Sequence, residues 1–202
     1  ILVGVPLGCL AAYKRGTWVD SLLRVICTLG ISMPGFVVAT ILLHTLTGGI
    51  EGVNLLPALF DGTPKSYIMP CLALGFYPMC YLSRQTRTAM LDAINQEYIK
   101  TARAKGLSQP AIIWKHALRN AIMPVVTVLG PIAAGVLTGA FVVENIFAIP
   151  GLGRYFVQSI QAYDYTMISG TTIFYGAFLI LANLVVDLVY GIIDPRVKLE
   201  EG

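Results

Sequence analysis

The sequence predicts an all-α integral membrane protein, a polytopic helical bundle of about five spans, and three observations carry that prediction. Charged residues make up only 12% of the 202, half of the roughly 25% usual in a soluble domain. The hydrophobic residues, 56% of the chain, run in long blocks between polar stretches instead of short alternations. The basic residues gather in every second connection between those blocks. A water-facing enzyme surface is missing, so a soluble globular enzyme is excluded.

A bilayer core of about 30 Å is crossed by about 20 helical residues. Complete blocks of that kind run from Leu22 to Leu46, Tyr67 to Ser83, Ala121 to Val143 and Met167 to Tyr190. The block over 67–83 is short, carries Pro70 and Pro78, and is open to extension into the basic stretch after it. Residues 1–13 are too short to span and read as the tail of a span that starts before Ile1. They lack the basic start and small-residue cleavage site of a signal peptide. In the second block, GISMPGF (Gly30 to Phe36) loses a backbone donor at Pro34 and surrounds it with glycines. A kink facing protein or a water-filled cavity is expected there.

Of the 14 Lys and Arg residues, twelve fall on one side of these spans. They are Lys14, Arg15 and Arg24; Arg84, Arg87, Lys100, Arg103, Lys105, Lys115 and Arg119; and Arg196 and Lys198. The other side holds Lys65 and Arg154 beside Glu51, Asp61, Glu144 and Asp164. The positive-inside rule therefore predicts a single transmembrane domain over 1–202. Its loop 84–120 and tail 191–202 are cytoplasmic, as are residues 14–20, and its loops 47–66 and 144–166 face outward. The net charge of +3 is a topological signal, and nucleic acid is not an expected partner.

Cys9, Cys27, Cys71 and Cys80 lie in apolar blocks without a C-x-x-C pair, and read as small buried hydrophobes. His44 and His116 have no second ligand nearby, so no metal site is expected. Gly4 and Gly8, and again Gly135 and Gly139, have the four-residue spacing of close helix packing in lipid, although the first pair fits merely tolerated glycines as well. Asp187 and Arg24 read as snorkelling groups with no opposite charge at their depth. The outer segment Glu144 to Thr166 is aromatic and amphipathic. It reads equally as an interfacial belt and as a contact for an external protein.

Residues 84–120 are too polar to span and too patterned to be disordered. Leu91, Ile94, Tyr98 and Ala102 share helical spacing. Gly106 suits a left-handed helix C-terminus, preceded by the cations Arg103 and Lys105. Ser108 is placed to cap a second helix with Pro110 in its first turn. That helix turns Ile112, Ile113 and Ala117 to one side. Such a helix-turn-helix either lies on anionic lipid or docks a cytoplasmic partner.

EYIKTARAKGLS followed by HALRNAIMPVV resembles the cytoplasmic loop of the permeases of binding-protein-dependent ABC importers, in the form of the dipeptide/oligopeptide/nickel subfamily. Gly106 matches the motif glycine. Lys100, Thr101 and Ala102 occupy the Glu-Ala-Ala positions, of which only Ala102 agrees with the general pattern. VPLGCLAAYKRGTWVD, GISMPGF, VVENIFAIPGLGRYF with the Asp164-Tyr165 pair, and NLVVDLVYGIIDPRV extend the resemblance over essentially the whole chain.

The resemblance implies six spans in the full chain, with the first span and a long external segment before Ile1. It implies a pore-forming subunit in the plasma (inner) membrane, importing short peptides, or alternatively nickel. The partners would be a second permease, most naturally in a heterodimer, two ATP-binding subunits and an external substrate-binding protein. Coupling to the ATPase would fall to Glu97, Tyr98, Thr101, Ala102, Arg103, Ala104, Lys105, Gly106, Leu107 and Ser108. Gly30, Ser32, Pro34, Gly35, Thr127 and Thr138 are candidates for the pathway or its kink. The chain would bind no cofactor, ATP and Mg²⁺ being held by the partners. In keeping with that, it contains no G-x-x-x-x-G-K-[ST], G-x-S-x-G or H-E-x-x-H. A secondary transporter or channel is the other class, and the mid-membrane charge it calls for is not obvious. His44, Asn183, Thr127 and Thr138 form no convergent cluster, so no tight solute site is expected.

Overall fold

The computed structural model describes residues 1–49, 54–138 and 140–193. Among the described residues ten α-helices follow in order, and the only extended pairing there is an isolated antiparallel bridge between Thr47 and Asn54. They are α1 (Gly4–Tyr13), α2 (Trp18–Ser32), α3 (Gly35–Leu46), α4 (Ile68–Ile94), α5 (Glu97–Ala104), α6 (Gln109–Ala111), α7 (Leu118–Thr138), α8 (Ala140–Ile146), α9 (Leu152–Gln161) and α10 (Tyr165–Ile193). A 3₁₀ turn (Pro64–Tyr67) precedes α4, and a π-helical stretch (Ile112–Ala117) joins α6 to α7. The all-α prediction agrees with this architecture.

The block over 22–46 is not one helix. Its α-helical hydrogen bonding stops at Ser32, and Pro34 takes an extended conformation, φ −60° and ψ 142°, as the N-cap of α3. Pro34 lacks an N–H, and its ring disfavours helical geometry at Met33. The expected kink is therefore a full break. The block at 67–83 takes the extension into the basic stretch that its sequence leaves open. α4 continues through Pro78 to Ile94 over 27 residues, so the first helix expected in the loop is divided between the end of this one and a separate α5. A break at Asn95 and Gln96 then starts α5, with Gln96 extended as its N-cap. Among the described residues, one helix is by itself long and apolar enough to cross a bilayer, over Tyr165–Val185, and α2 with α3 meets the same criterion only as a pair.

The chain forms two compact units. The first combines residues 1–32, 78–130 and 190–202, and the second residues 33–77 and 131–189. In the first, α1 lies on α4. A Cβ on Gly4 would come within 2.7 Å of the Met79 carbonyl oxygen, and one on Gly8 within 2.6 Å of the Thr86 Cβ. The first Gly pair is thus a packing surface, as dispersion-driven association in lipid requires. A Cβ on Gly135 would meet no atom within 4 Å, and Gly139 lies outside the described residues. Cys9, Ala12, Ala89, Met90, Ala93, Ile99, Ala102, Ile112, Ile113, Ala117 and Ala121 make one continuous core. Small residues dominate it, which lets backbones approach closely.

In the second unit Ala39, Met69, Ala73, Val143 and Phe147 form the core. The Phe60 N–H donates to the Phe147 carbonyl at 2.9 Å, tying the loop before α4 to the end of α8. Hydroxyls along the apolar helices donate to carbonyls of their own helix, as Thr40 does to Phe36 and Thr172 to Ile168. Self-satisfaction of this kind suits surroundings with no water to accept the bond.

Candidate functional site

The cytoplasmic-side prediction centres on residues 97–108, and the local sequence explains their shape. Gly106 adopts φ +74°, the left-handed conformation that glycine takes without steric cost. The Gly106 N–H donates to the Arg103 carbonyl at 2.9 Å and the Leu107 N–H to the Ala102 carbonyl at 3.3 Å, closing the carbonyls at the end of α5. Ser108 is the N-cap of α6, by backbone conformation and without a side-chain bond. Ile112, Ile113 and Ala117 are all buried. A spacing of five between Ile112 and Ala117 overshoots an α-turn but fits the wider π-turn found there.

These residues divide by face. Ile99 is 0% and Ala102 6% exposed, and both enter the first unit's core. Ala102 therefore acts by packing, and Ile99, absent from the sequence-derived set, is the anchor beside it. Its signal lies in the sequence, since Ile99 and Ala102 are three apart; Tyr98, which shares helical spacing with Ile94 and Ala102, is exposed instead. Glu97, Tyr98, Thr101, Arg103, Ala104, Lys105, Gly106, Leu107 and Ser108 all face outward. Lys100 pairs with Glu97 at 2.7 Å, an exposed contact of little energetic weight. The outer face thus offers a phenol and a leucyl side chain among the cations Arg103 and Lys105.

The expected snorkelling of Arg24 without an acid at its depth is not what the structure shows. Asp20, 1% exposed in the first turn of α2, accepts from Arg87 Nε at 2.7 Å and Nη2 at 2.9 Å. Arg24 Nε lies 3.6 Å from the same carboxylate, and the Gly16 N–H donates to it at 3.1 Å. The bidentate Arg87 above all, with the Gly16 N–H and the charges of Arg87 and Arg24, holds its pKa down at about 2 against the opposing effect of burial. Arg87 is correspondingly pushed up. This clamp fastens the start of α2 to α4, ten residues before α5 begins. Asp20 and Arg24 are four apart and legible as a pair, whereas Arg87, 67 residues away, is not.

On the second unit, the Gly151-Leu152-Gly153 run has a structural use. The Gly153 N–H donates to Glu144 Oε2 at 2.8 Å, and a Cβ on Gly153 would come within 2.5 Å of the Phe141 Cα. Glu144 thereby satisfies a first-turn donor of α9. Arg154 Nη1 donates to the Ala148 carbonyl at 3.2 Å, and Asp164 accepts from the Met167 N–H at the start of α10. The amphipathic α9 is held at its start, with Tyr155 and Ile160 exposed.

Of the pathway candidates, Ser32 donates to the Thr28 carbonyl and Thr127 to the Met123 carbonyl. Both hydroxyls are engaged within their helices. Gly30 is buried, Pro34 is at the helix break, and Gly35 lies with the Ala73 carbonyl oxygen 4.0 Å from its would-be Cβ. The side chains of Thr138 and Asp187, like all of Glu51, lie outside the described part.

Residues 4–199 match the family described as binding-protein-dependent transport system inner membrane component. The chain is 47% identical over 201 residues to the dipeptide transport system permease protein DppB of Bacillus subtilis, covering 100% of this chain and 64% of the relative. It is 42% identical to DppB of Lactococcus lactis over 98% of this chain and 64% of that protein. The oligopeptide transport system permease protein AppB of Bacillus subtilis is 36% identical over 98% of this chain and 65% of its own length. The chain thus spans just under two thirds of these relatives. With every described helix inside the matched range, the chain belongs to the family of binding-protein-dependent transport system inner membrane components.

Proposed function

We propose that this chain forms part of the pore of an ATP-driven importer that passes short peptides, delivered by an external binding protein, into the cytoplasm. The observation that carries this reading is the exposed, shape-fixed face of residues 97–108. Ile99 and Ala102 are locked into the core, while Tyr98, Arg103, Lys105 and Leu107 stand outward. A rigid, basic, partly apolar knob of this kind suits docking to an ATP-binding subunit, whose movements it would pass through α5 to the core of α1, α4 and α7. In this reading the chain is itself no enzyme. A second permease subunit and two ATP-binding subunits complete the machine, and several helices of this chain cross the inner membrane. The relatives' names, dipeptide and oligopeptide, favour peptide over nickel as cargo.

The face 47–66 with α9 is placed outside by the positive-inside rule, where α9 would meet either the interface or the binding protein. Asp20 and Arg87 would keep α2 and α4 moving together when the docked face is pushed. The test is uptake of a labelled dipeptide by proteoliposomes containing the full-length permease, its partner subunits and the binding protein. ATP-dependent accumulation of dipeptide and none of nickel is expected. Nickel uptake in place of dipeptide uptake would contradict the proposed cargo.

A further inference from the structure

The first unit has a cavity of about 230 Å³ on the predicted cytoplasmic side, lined by α1, α2 and α4 residues that include Leu23, Arg24, Thr28, Ser83, Arg84 and Arg87. We propose that it is a binding site for the phosphate headgroup of an anionic phospholipid. The inference rests on the membrane placement given above.

Charge is the first argument. Three guanidinium groups border the cavity, and the single carboxylate of Asp20, shared by Arg87 and Arg24, leaves a net excess of two positive charges. Arg87 is spent on that carboxylate through two hydrogen bonds. Arg24 keeps an exposed side chain, 3.6 Å from the same acid, and Arg84 has no carboxylate within ion-pair distance among the described residues. One carboxylate thus stands against three cations around a hollow of mixed polar and apolar lining, and guanidinium forks match phosphate oxygens in geometry as well as charge. The hydroxyl-bearing Thr28 and Ser83 stand in the same wall.

Size and position are the second. At about 30 Å³ per water, the cavity has room for a phosphate group and some of its hydration. Its wall turns apolar at Ala11, Leu23 and Cys27, and α2 continues from it with Leu22, Val25, Ile26 and Leu29 exposed. An occupant with a charged head and hydrocarbon tails satisfies both parts, whereas a free phosphate satisfies only the first. Basic pockets between helices on the cytoplasmic side bind anionic headgroups by this logic.

The test uses the assembled transporter in nanodiscs containing phosphatidylcholine and phosphatidylglycerol in equal parts, with retained lipid counted by native mass spectrometry. Phosphatidylglycerol should be retained in preference to phosphatidylcholine, and the double variant R24Q/R84Q should lose that preference roughly tenfold. Thr28→Phe fills the cavity with the arginines in place and should lower retention similarly, which covers the case that the double variant fails to assemble. Equal retention of the two lipids by the unaltered complex, or undiminished preference in a variant that assembles, overturns the site. Inorganic phosphate that displaces the phosphatidylglycerol and is itself retained in phosphatidylcholine discs also overturns the lipid assignment, in favour of a soluble anion. Peptide-stimulated ATPase activity is read on the same discs. Lipid preference without that activity counts against the importer reading and for the lipid site, and the reverse result counts the other way.

Discussion

Asp20 is the residue on which the first unit turns. Its carboxylate is buried and fully partnered, so removing the charge leaves the Arg87 guanidinium facing a neutral amide. Asp20→Asn is expected to destabilise the assembled permease by roughly 3 kcal/mol, at the lower end for a broken buried pair because Arg87 keeps some solvent contact. Thermal unfolding of the purified complex reads this. The pH dependence follows from the sign of the shift. The folded pKa is about 2, lowered from 3.8, so the contribution is complete above the unfolded value and lost as pH falls through about 2. Asp20 should therefore add no pH dependence between pH 5 and 8, and the stability gap to the Asn variant should stay constant across that range. Gly8 is the other residue with a fixed requirement. Gly8→Leu drives a side chain into the Ser83 carbonyl and Thr86, and should abolish stable assembly, with a folded and active variant as the contrary result. The glycine spacing was readable from sequence because one helix displays it. The ion pair was not, because nothing local to Asp20 announces a partner on α4.

At the scale of elements, the sequence marks backbone constraints well and helix ends poorly. Pro34 and Gly106 each do what their chemistry dictates, a missing donor in one and an unhindered positive φ in the other. Charge begins at Arg84 and leaves the end of α4 open in the sequence, and backbone hydrogen bonding continues through polar residues to Ile94. Apolar periodicity reports burial, and α4 stays helical after it leaves the apolar region. The same limit misplaced Tyr98 and overlooked Ile99. Two variants separate these roles. Gly106→Val should cost about 1 kcal/mol at a positive φ, leaving insertion intact while lowering ATPase stimulation. Ile99→Asn places an amide without a partner in the core and should reduce the amount of folded permease itself. Normal ATPase stimulation and uptake with Gly106→Val would remove this turn from the coupling path.

For the whole molecule, the pattern of charge carries the proposed topology while the structure supplies the two cores that the helices serve. Among the described residues α10 is long and apolar enough to span by itself and α2 with α3 only as a pair, because Pro34 divides the latter. In a permease without its native cysteines, an impermeant thiol reagent applied outside cells should label Lys65→Cys and Gln161→Cys and spare Gln96→Cys. Labelling of Gln96→Cys would invert the proposed orientation. The central claim is that residues 97–108 meet the ATP-binding subunit, and it is tested most directly by a photo-crosslinker placed at Leu107 of the full-length permease in a complex that takes up peptide. The account predicts an adduct with the ATP-binding subunit from Leu107 and none from the same probe at Gln158 on α9. An adduct from Gln158, or none from Leu107 while uptake proceeds, would contradict it.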